Sequence, residues 1–377
     1  MKIHQRLSEW LESRYCAPAY GGWVLIAIAL CFFGAATNTM AGWLYVISGI
    51  ILALLVLGAV LPVRSLSHLN IRRFPIEPVS AGHELTIELV LENLTSQPKT
   101  LFQAQELLPF ALSRPKPTAI AAIPAQETFI WSYSITARRR GIYQWHEVQL
   151  RTGAPLGLFW CRRCWQVPAR AVVYPKILPL KHCSLIEAIG NSPSTPKRYQ
   201  AATEGLTKGL RPYRHGDSIR LVAWRRSARF DQLQVRELEV MTGGQEVAIC
   251  LDCQSPWQAD AFEQAVIAAA SLYCYASRRQ ANAKLWTADS GLLQGDRAVL
   301  ETLAAAAPTP EAIASIPAAP LVWLTSSVAS LHSLPAGSQG VLFPSSPRLE
   351  PLPCPTLVID SGQPLQQQLQ QELEARV

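Results

Sequence analysis

No charged residue occurs between Gly22 and Leu61. A polar break at Thr37-Asn38-Thr39 divides this stretch into an apolar run from Trp23 to Ala36 and another from Ala41 to Leu61. The pattern predicts two transmembrane helices, about 22–37 and 41–61, in a membrane segment spanning 22–62 whose second helix Pro62 ends. The second run is about 20 residues, long enough to cross a bilayer, and the first crosses with its flanks. Trp23, Trp43 and Tyr45 stand where interfacial aromatics belong.

Beyond this hairpin the period changes to two. Leu85, Ile87, Leu89 and Leu91 alternate with Glu84, Thr86, Glu88 and Glu92, the signature of a half-buried strand. Phe129–Ile135, Gly141–Leu150 and Ala171–Tyr174 predict three more strands, with turns at Asn93–Ser96, Pro115–Pro117 and Gly153–Pro155. Strands at this spacing with no helical period between them predict a β-sandwich over 65–175, immunoglobulin- or fibronectin-like. Residues 176–205 are polar, carry Pro179, Pro193 and Pro196, and read as a linker.

A third pattern follows. Arg211–Glu239 packs seven arginines beside Tyr213, Trp224 and Phe230. His215-Gly216-Asp217 reads as a turn whose aspartate caps a following helix. From Ile219 the apolar spacing predicts a basic helix of about three turns, then a strand at Leu233–Val240. From Glu246 short apolar strands alternate with helices. The strands are Glu246–Leu251, Ala283–Thr287, Leu321–Thr325, Gly340–Phe343 and Thr356–Ile359. The helices are Ala261–Arg278 and Asp296–Ala306. This predicts a parallel, doubly wound α/β domain within 206–361. Residues 362–377 form a glutamine-rich tail or helix.

The net charge of +7 changes the picture mainly at the membrane. Lys2, Arg6 and Arg14 precede the hairpin, Arg64, Arg72 and Arg73 follow it, and its loop has no basic residue. Residues 1–21 therefore read as a cytoplasmic lead-in, with both termini and the soluble domains in the cytoplasm of a multi-pass plasma-membrane protein. A cleaved signal peptide is the alternative, although the lead is long and a full span follows at once. Nine cysteines, an odd number with scattered spacing, fit reduced thiols.

Candidate chemistry is sparse. There is no Gly-rich phosphate loop, no His-Glu-x-x-His and no Gly-x-Ser-x-Gly, so no catalytic constellation is visible and the chain reads as no enzyme. Cys161 and Cys164 form a lone Cys-x-x-Cys without further ligands in register, and read as thiols of a strand or turn. Asp252 ends the first α/β strand, where such sheets place ligands. The arginine stretch admits nucleic acid, anionic lipid or protein carboxylates, or a structural clamp between two domains. It is short, contains its own acids and lies near a membrane, which argues against nucleic acid. The clamp reading expects Arg220 or Arg229 to pair with a buried carboxylate.

The run Arg211-x-Tyr213-x-x-Gly216-Asp217-x-x-Arg220-x-x-x-Trp224-x-x-Ser227-Ala228-Arg229, then Leu233-x-Val235-Arg236-Glu237, resembles the signature of the bacterial domain-of-unknown-function 58 family. Arg139-Arg140-Gly141-x-Tyr143 and Val173-Tyr174-Pro175 resemble further elements of it. Gly153–Phe159 resembles the family's Asp-Pro-Phe-Gly-Leu-Phe turn, with departures at Ala154 and Leu156. The resemblance implies a membrane-anchored β-sandwich followed by a von Willebrand factor A-like parallel sheet. It implies an adaptor or assembly role beside MoxR-type AAA+ ATPases and other membrane proteins, with no established catalytic activity. In the von Willebrand factor A pattern Asp-x-Ser-x-Ser, Asp252 is followed by Gln254 and Pro256, with Ser255 one place out of register. Thr325 lies at the neighbouring strand end with no second carboxylate. These degenerate positions argue against Mg²⁺, so no cofactor is expected. The expected function is a membrane scaffold that receives a partner. The alternative is a nucleic-acid or anionic-ligand binder using Arg211, Arg214, Arg220, Arg225, Arg226 and Arg229.

Overall fold

The structure, a computed structural model, describes residues 12–371 apart from 13, 113–115, 191–198, 214–218, 231, 242–245, 280, 310–315, 318 and 345–351. The chain divides into two compact units, Met1–Tyr174 and Pro175–Val377.

In the first unit, α1 (Tyr20–Thr39) and α2 (Gly42–Ser65) form an antiparallel hairpin. Both are long and apolar enough to cross a membrane. Gly22, Ala29 and Ala36 recur every seventh residue and are buried, Gly22 against Leu158 and Pro18, and the buried residues of α2 include Leu44, Ser48 and Leu55. Small side chains let the backbones approach. Ser48 Oγ uses that approach to donate to the Ala29 carbonyl at 3.0 Å. The outward apolar residues, Leu30, Phe33, Val46 and Ile50 among them, stay exposed. Contrary to expectation, α2 continues through Pro62 to Ser65. A proline in the last turn forfeits one amide bond, and Leu66 N–H still closes on the Pro62 carbonyl at 3.2 Å.

Two sheets follow and share one core. One is β2 (Leu69–Arg73), β4 (Glu84–Asn93) and β7 (Thr128–Thr136). The other runs β1 (Ala17–Pro18), β9 (Phe159–Tyr174), β8 (Gly141–Thr152), β5 (Lys99–Glu106), β6 (Thr118–Ile123), with β3 (Val79–Ser80) also along β9. Leu85, Ile87, Leu89 and Leu91 of β4 meet Phe102, Ala104, Val148 and Leu150 in that core, all at most 2 % exposed. Each such aliphatic burial contributes roughly 1.5–3 kcal/mol.

The turn between β8 and β9 locks this body to the hairpin. Ala19 N–H donates to the Leu158 carbonyl at 2.8 Å, and β1 pairs Ala17 with Trp160. A Cβ on Gly22 would lie 2.4 Å from the Leu158 carbonyl oxygen, so only glycine fits there.

The second unit corrects the predicted linker. Leu185, Ile186 and Ile189 share one helical face, and α3 (Ser184–Gly190) buries them in the core of the α/β sheet. From Tyr199 the chain is already strand β10 (Tyr199–Pro212), paired antiparallel with β11 (Gln234–Met241). The predicted three-turn basic helix is also broken. A 3₁₀ turn at Ile219–Leu221 precedes α4 (Trp224–Phe230), because Val222 leaves the helix to form a β-bridge with Val235.

The main sheet contains β12 (Glu246–Leu251), β13 (Asn282–Thr287), β14 (Gly291–Leu293), β15 (Leu321–Thr325), β16 (Gln339–Leu342) and β17 (Thr356–Val358). Its order is β14-β13-β12-β15-β16-β17, all parallel except β14. The order reverses direction between β12 and β15, which makes that pair the topological switch point. Helices α5 (Ala259–Arg278) and α6 (Asp296–Ala305) cover one face together with α3, and Leu365 and Leu369 of α7 (Leu365–Leu369) join them. The opposite face carries Trp286 and Trp323, ring centroids 5.4 Å apart, under Leu331, Leu334, Leu352 and Cys354. Among the described residues no α-helix joins this second cluster, so the α-helical cover lies on the first face.

Candidate functional site

At the switch point, the carboxyl ends of β12 and β15 bring together all three degenerate positions, Asp252, Ser255 and Thr325. Asp252 N–H donates to the Leu324 carbonyl at 2.9 Å, which carries the β12 backbone one residue past the strand. The chain then turns, and Asp252 Oδ1 accepts the Gln254 and Ser255 amides at 3.0 and 3.3 Å. Oδ2 accepts the Thr325 hydroxyl at 2.7 Å and the Ser255 hydroxyl. Ser255, out of register in the sequence, is thus in place in space, with its Oγ 3.0 Å from Thr325 Oγ1.

The network runs further than sequence reasoning found. Ser330 Oγ lies 2.9 Å from Thr325 Oγ1 and accepts the Trp323 indole N–H at 3.2 Å. Trp257 Nε1 donates to the Asp252 carbonyl at 2.6 Å, and Ser326 Oγ to the Pro256 carbonyl at 3.0 Å. The serine-rich run after Thr325 was the available signal. Ser330 lies outside it and is delivered by a 3₁₀ turn at Ala329–Ser333.

Asp252 is 5 % exposed, and its four acceptor sites are filled by these four donors. A hard cation wants about six oxygens in an octahedral set. One saturated carboxylate and a proline at 256 do not supply that set. Among the described residues, no three His, Cys, Asp or Glu side chains converge on a metal position. The arrangement joins two strand ends through a hydroxyl relay.

The arginine segment presents a different surface. Ser227, 6 % exposed, donates its hydroxyl to the Ala223 carbonyl at 3.1 Å and accepts the Gln234 amide at 2.9 Å. Together with the Ala223 amide on the Gln234 carbonyl (2.8 Å), it staples α4 to β11. Tyr213 N–H bonds the Leu233 carbonyl at 2.8 Å, holding the start of the segment to the residue that leads into that strand. Outside this staple, Trp224 is 61 % exposed, and Arg220, Arg225, Arg226 and Arg229 are exposed beside it. The expected pairing of Arg220 or Arg229 with a buried carboxylate does not occur among the described residues. Gly216 and Asp217, with the expected helix cap, lie outside the described residues, as does the side chain of Arg211.

Cys161 and Cys164 both lie in β9, three residues apart, so they point to opposite faces: Cys161 is buried and Cys164 exposed. They cannot hold one ion or close one disulfide. Burial of Cys161, and for Cys164 partial desolvation at the surface together with the Glu147 charge, push both thiols above the usual cysteine range against the lowering pull of nearby arginine charge.

No curated protein matches the chain. Similar solved structures include the CARDB domain of a Pyrococcus furiosus protein (11 % identity over 28 % of this chain and 95 % of that one, TM-score 0.20). A Listeria innocua β-glucosidase is similar at 12 % identity over 29 % of this chain and 16 % of that one, TM-score 0.18. A family model described as "protein of unknown function DUF58" matches residues 209–301, from the end of β10 through the stapled arginine helix into α6, and supports the DUF58 family for this chain.

Proposed function

We propose that this chain is a non-enzymatic, membrane-anchored adaptor whose α/β unit receives a protein partner for assembly or maturation of envelope-associated complexes. The hairpin is the anchor, and the soluble units lie on the cytoplasmic side. The observation that carries the reading is Trp224, exposed beside four exposed arginines on a short helix that buried Ser227 fixes to a strand. Tryptophan and arginine dominate protein-interface energetics, and a side chain held by a rigid element loses little entropy on docking.

A MoxR-type AAA+ ATPase is the partner class that the family resemblance offers. The von Willebrand factor A-like reading of the sheet rests on the same resemblance and on the strand order around the switch point. The proposed role calls on no metal and gives Asp252 the task of joining β12 and β15.

The test is co-purification from membranes with a co-expressed, ATP-locked MoxR-type ATPase. Wild type retains the ATPase, and Trp224→Ala with Arg226→Ala loses it while the thermal unfolding of the protein stays unchanged. Absence of the ATPase, together with DNA or RNA binding that falls steeply with salt, would replace the adaptor by a nucleic-acid binder.

A further inference from the structure

The two-sheet body has an open side, where β7 ends one sheet and β6 ends the other. β7 runs nine residues, Thr-Phe-Ile-Trp-Ser-Tyr-Ser-Ile-Thr, without a charge or a proline. It pairs along its whole length with β4 and, among the described residues, with no other strand. Alternate residues of an antiparallel edge strand turn their N–H and C=O outward, so about four residues of β7 offer both groups to a new strand. Edge strands usually carry lysine, proline or a bulge that blocks such pairing. β7 carries none of these.

A cavity of about 620 Å³ opens beside this edge. Trp131, Tyr133 and Ile135 of β7 form one wall, and Leu108 and Leu112 face them. Trp131 and Tyr133 stack at 5.1 Å between centroids, giving a flat aromatic surface. At the base, Glu106 is neutralised by Arg73 and accepts the Trp145 indole N–H at 2.6 Å and the Tyr133 hydroxyl, so the interior offers no free anionic charge. Lys116 and Arg138 stand exposed on the lining. The local field is therefore positive.

Position favours a polypeptide over a lipid headgroup as the source of the complementary charge. Lys99, at the other end of β5, donates to the Arg64 carbonyl in the last turn of α2. Glu106 lies seven residues further along the same strand, roughly 23 Å from the hairpin at the usual rise.

The geometry points to a second docking site: β7 accepts an extended, acid-flanked polypeptide segment as an added strand, with one apolar side chain entering the cavity over Trp131 and Tyr133. Main-chain bonds supply the affinity, and the cavity and the two cations select the sequence. This site lies in the first unit and does not depend on the arginine helix.

The experiment uses the full chain in detergent micelles and a synthetic peptide, Asp-Asp-Val-Thr-Val-Thr-Val, with a Lys-Lys-flanked counterpart. Hydrogen exchange of alternate amides within 128–136 slows when the acidic peptide is added. The acidic peptide binds about five-fold or more tightly than its counterpart at low salt, and Lys116→Glu with Arg138→Glu removes or reverses that preference. No slowing within 128–136 overturns the proposal, whether or not the peptide binds elsewhere. Equal binding of both peptides overturns the acidic occupant. Protection already present without peptide, and lost on dilution, overturns it in favour of a second copy of the chain.

Discussion

Thr325 donates its hydroxyl to Asp252 across 2.7 Å, tying the ends of β15 and β12 at the point where the sheet reverses its order. Both residues are buried, so the bond is shielded from water. Thr325→Val keeps the shape and leaves Ser255 as the one hydroxyl on that carboxylate oxygen. The expected loss is about 1–3 kcal/mol of unfolding free energy, read from urea titration. Asp252→Ala leaves two amides and two hydroxyls without their acceptor and costs more. Saturating Mg²⁺ leaves the unfolding midpoint of the wild type unchanged. A rise with Mg²⁺ that Asp252→Ala abolishes would show a cation site there.

Glycines in the hairpin are unequal. Gly22→Ala places a methyl 2.4 Å from the Leu158 carbonyl oxygen, a backbone atom that cannot swing aside. The expected cost is about 1–3 kcal/mol as the turn is pushed off the helix. Gly34→Ala meets nothing within 4 Å and is neutral or slightly stabilising. Thermal unfolding of the two variants in one detergent separates them.

Alkaline pH acts through tyrosines. Burial, and then the charge of Glu106 beside it, raises the Tyr133 hydroxyl above its ordinary range. Burial and Asp296 push Tyr273 up to about 12. A raised acid favours the folded state while it stays protonated. This stability is complete below the unfolded value of about 10 and declines as pH climbs beyond it. Tyr133→Phe and Tyr273→Phe each flatten the decline between pH 10 and 12 in denaturation curves taken at stepped pH. Curves that fall in parallel with wild type would show that the tyrosines do not drive it.

Thiol labelling distinguishes the faces of β9. Cys164 reacts with a maleimide in the folded protein, slowly at neutral pH because its thiol is held protonated, while Cys161 reacts only on unfolding. Mass spectrometry of the folded, oxidant-treated protein shows no Cys161–Cys164 crosslink.

The parts of the fold legible in the sequence are those where one physical signal dominates. The uncharged run gave the hairpin, the strict alternation from Leu85 to Leu91 gave β4, and the short apolar runs ending at Leu251 and Thr325 gave the central parallel strands. β5 and most of β9 were hidden: in β5 Lys99 and Glu106 are buried while Leu101 is exposed, and in β9 Arg162 and Arg163 interrupt the apolar positions on a partly solvated stretch. α3 was hidden by its shortness: seven residues between prolines carry too little pattern, although three of them fill a core. At the switch point, Asp252 and Thr325 could be named from strand ends alone. The role of Ser255 could not, since register along the chain says little once a turn folds the serine back over the carboxylate. The exposure of the arginines was likewise not readable, because charge density looks the same whether a side chain clamps a neighbour or faces water.

The seat of Leu158 against Gly22 means that the hairpin has no slack against the two-sheet body. Only Leu66–His68 separate α2 from β2, and the β8–β9 turn grips the start of α1 from the other side. A pull on the two-sheet body therefore reaches the helices directly, as through the handle of a tool. Work done on this protein by a partner would be delivered to whatever surrounds the hairpin.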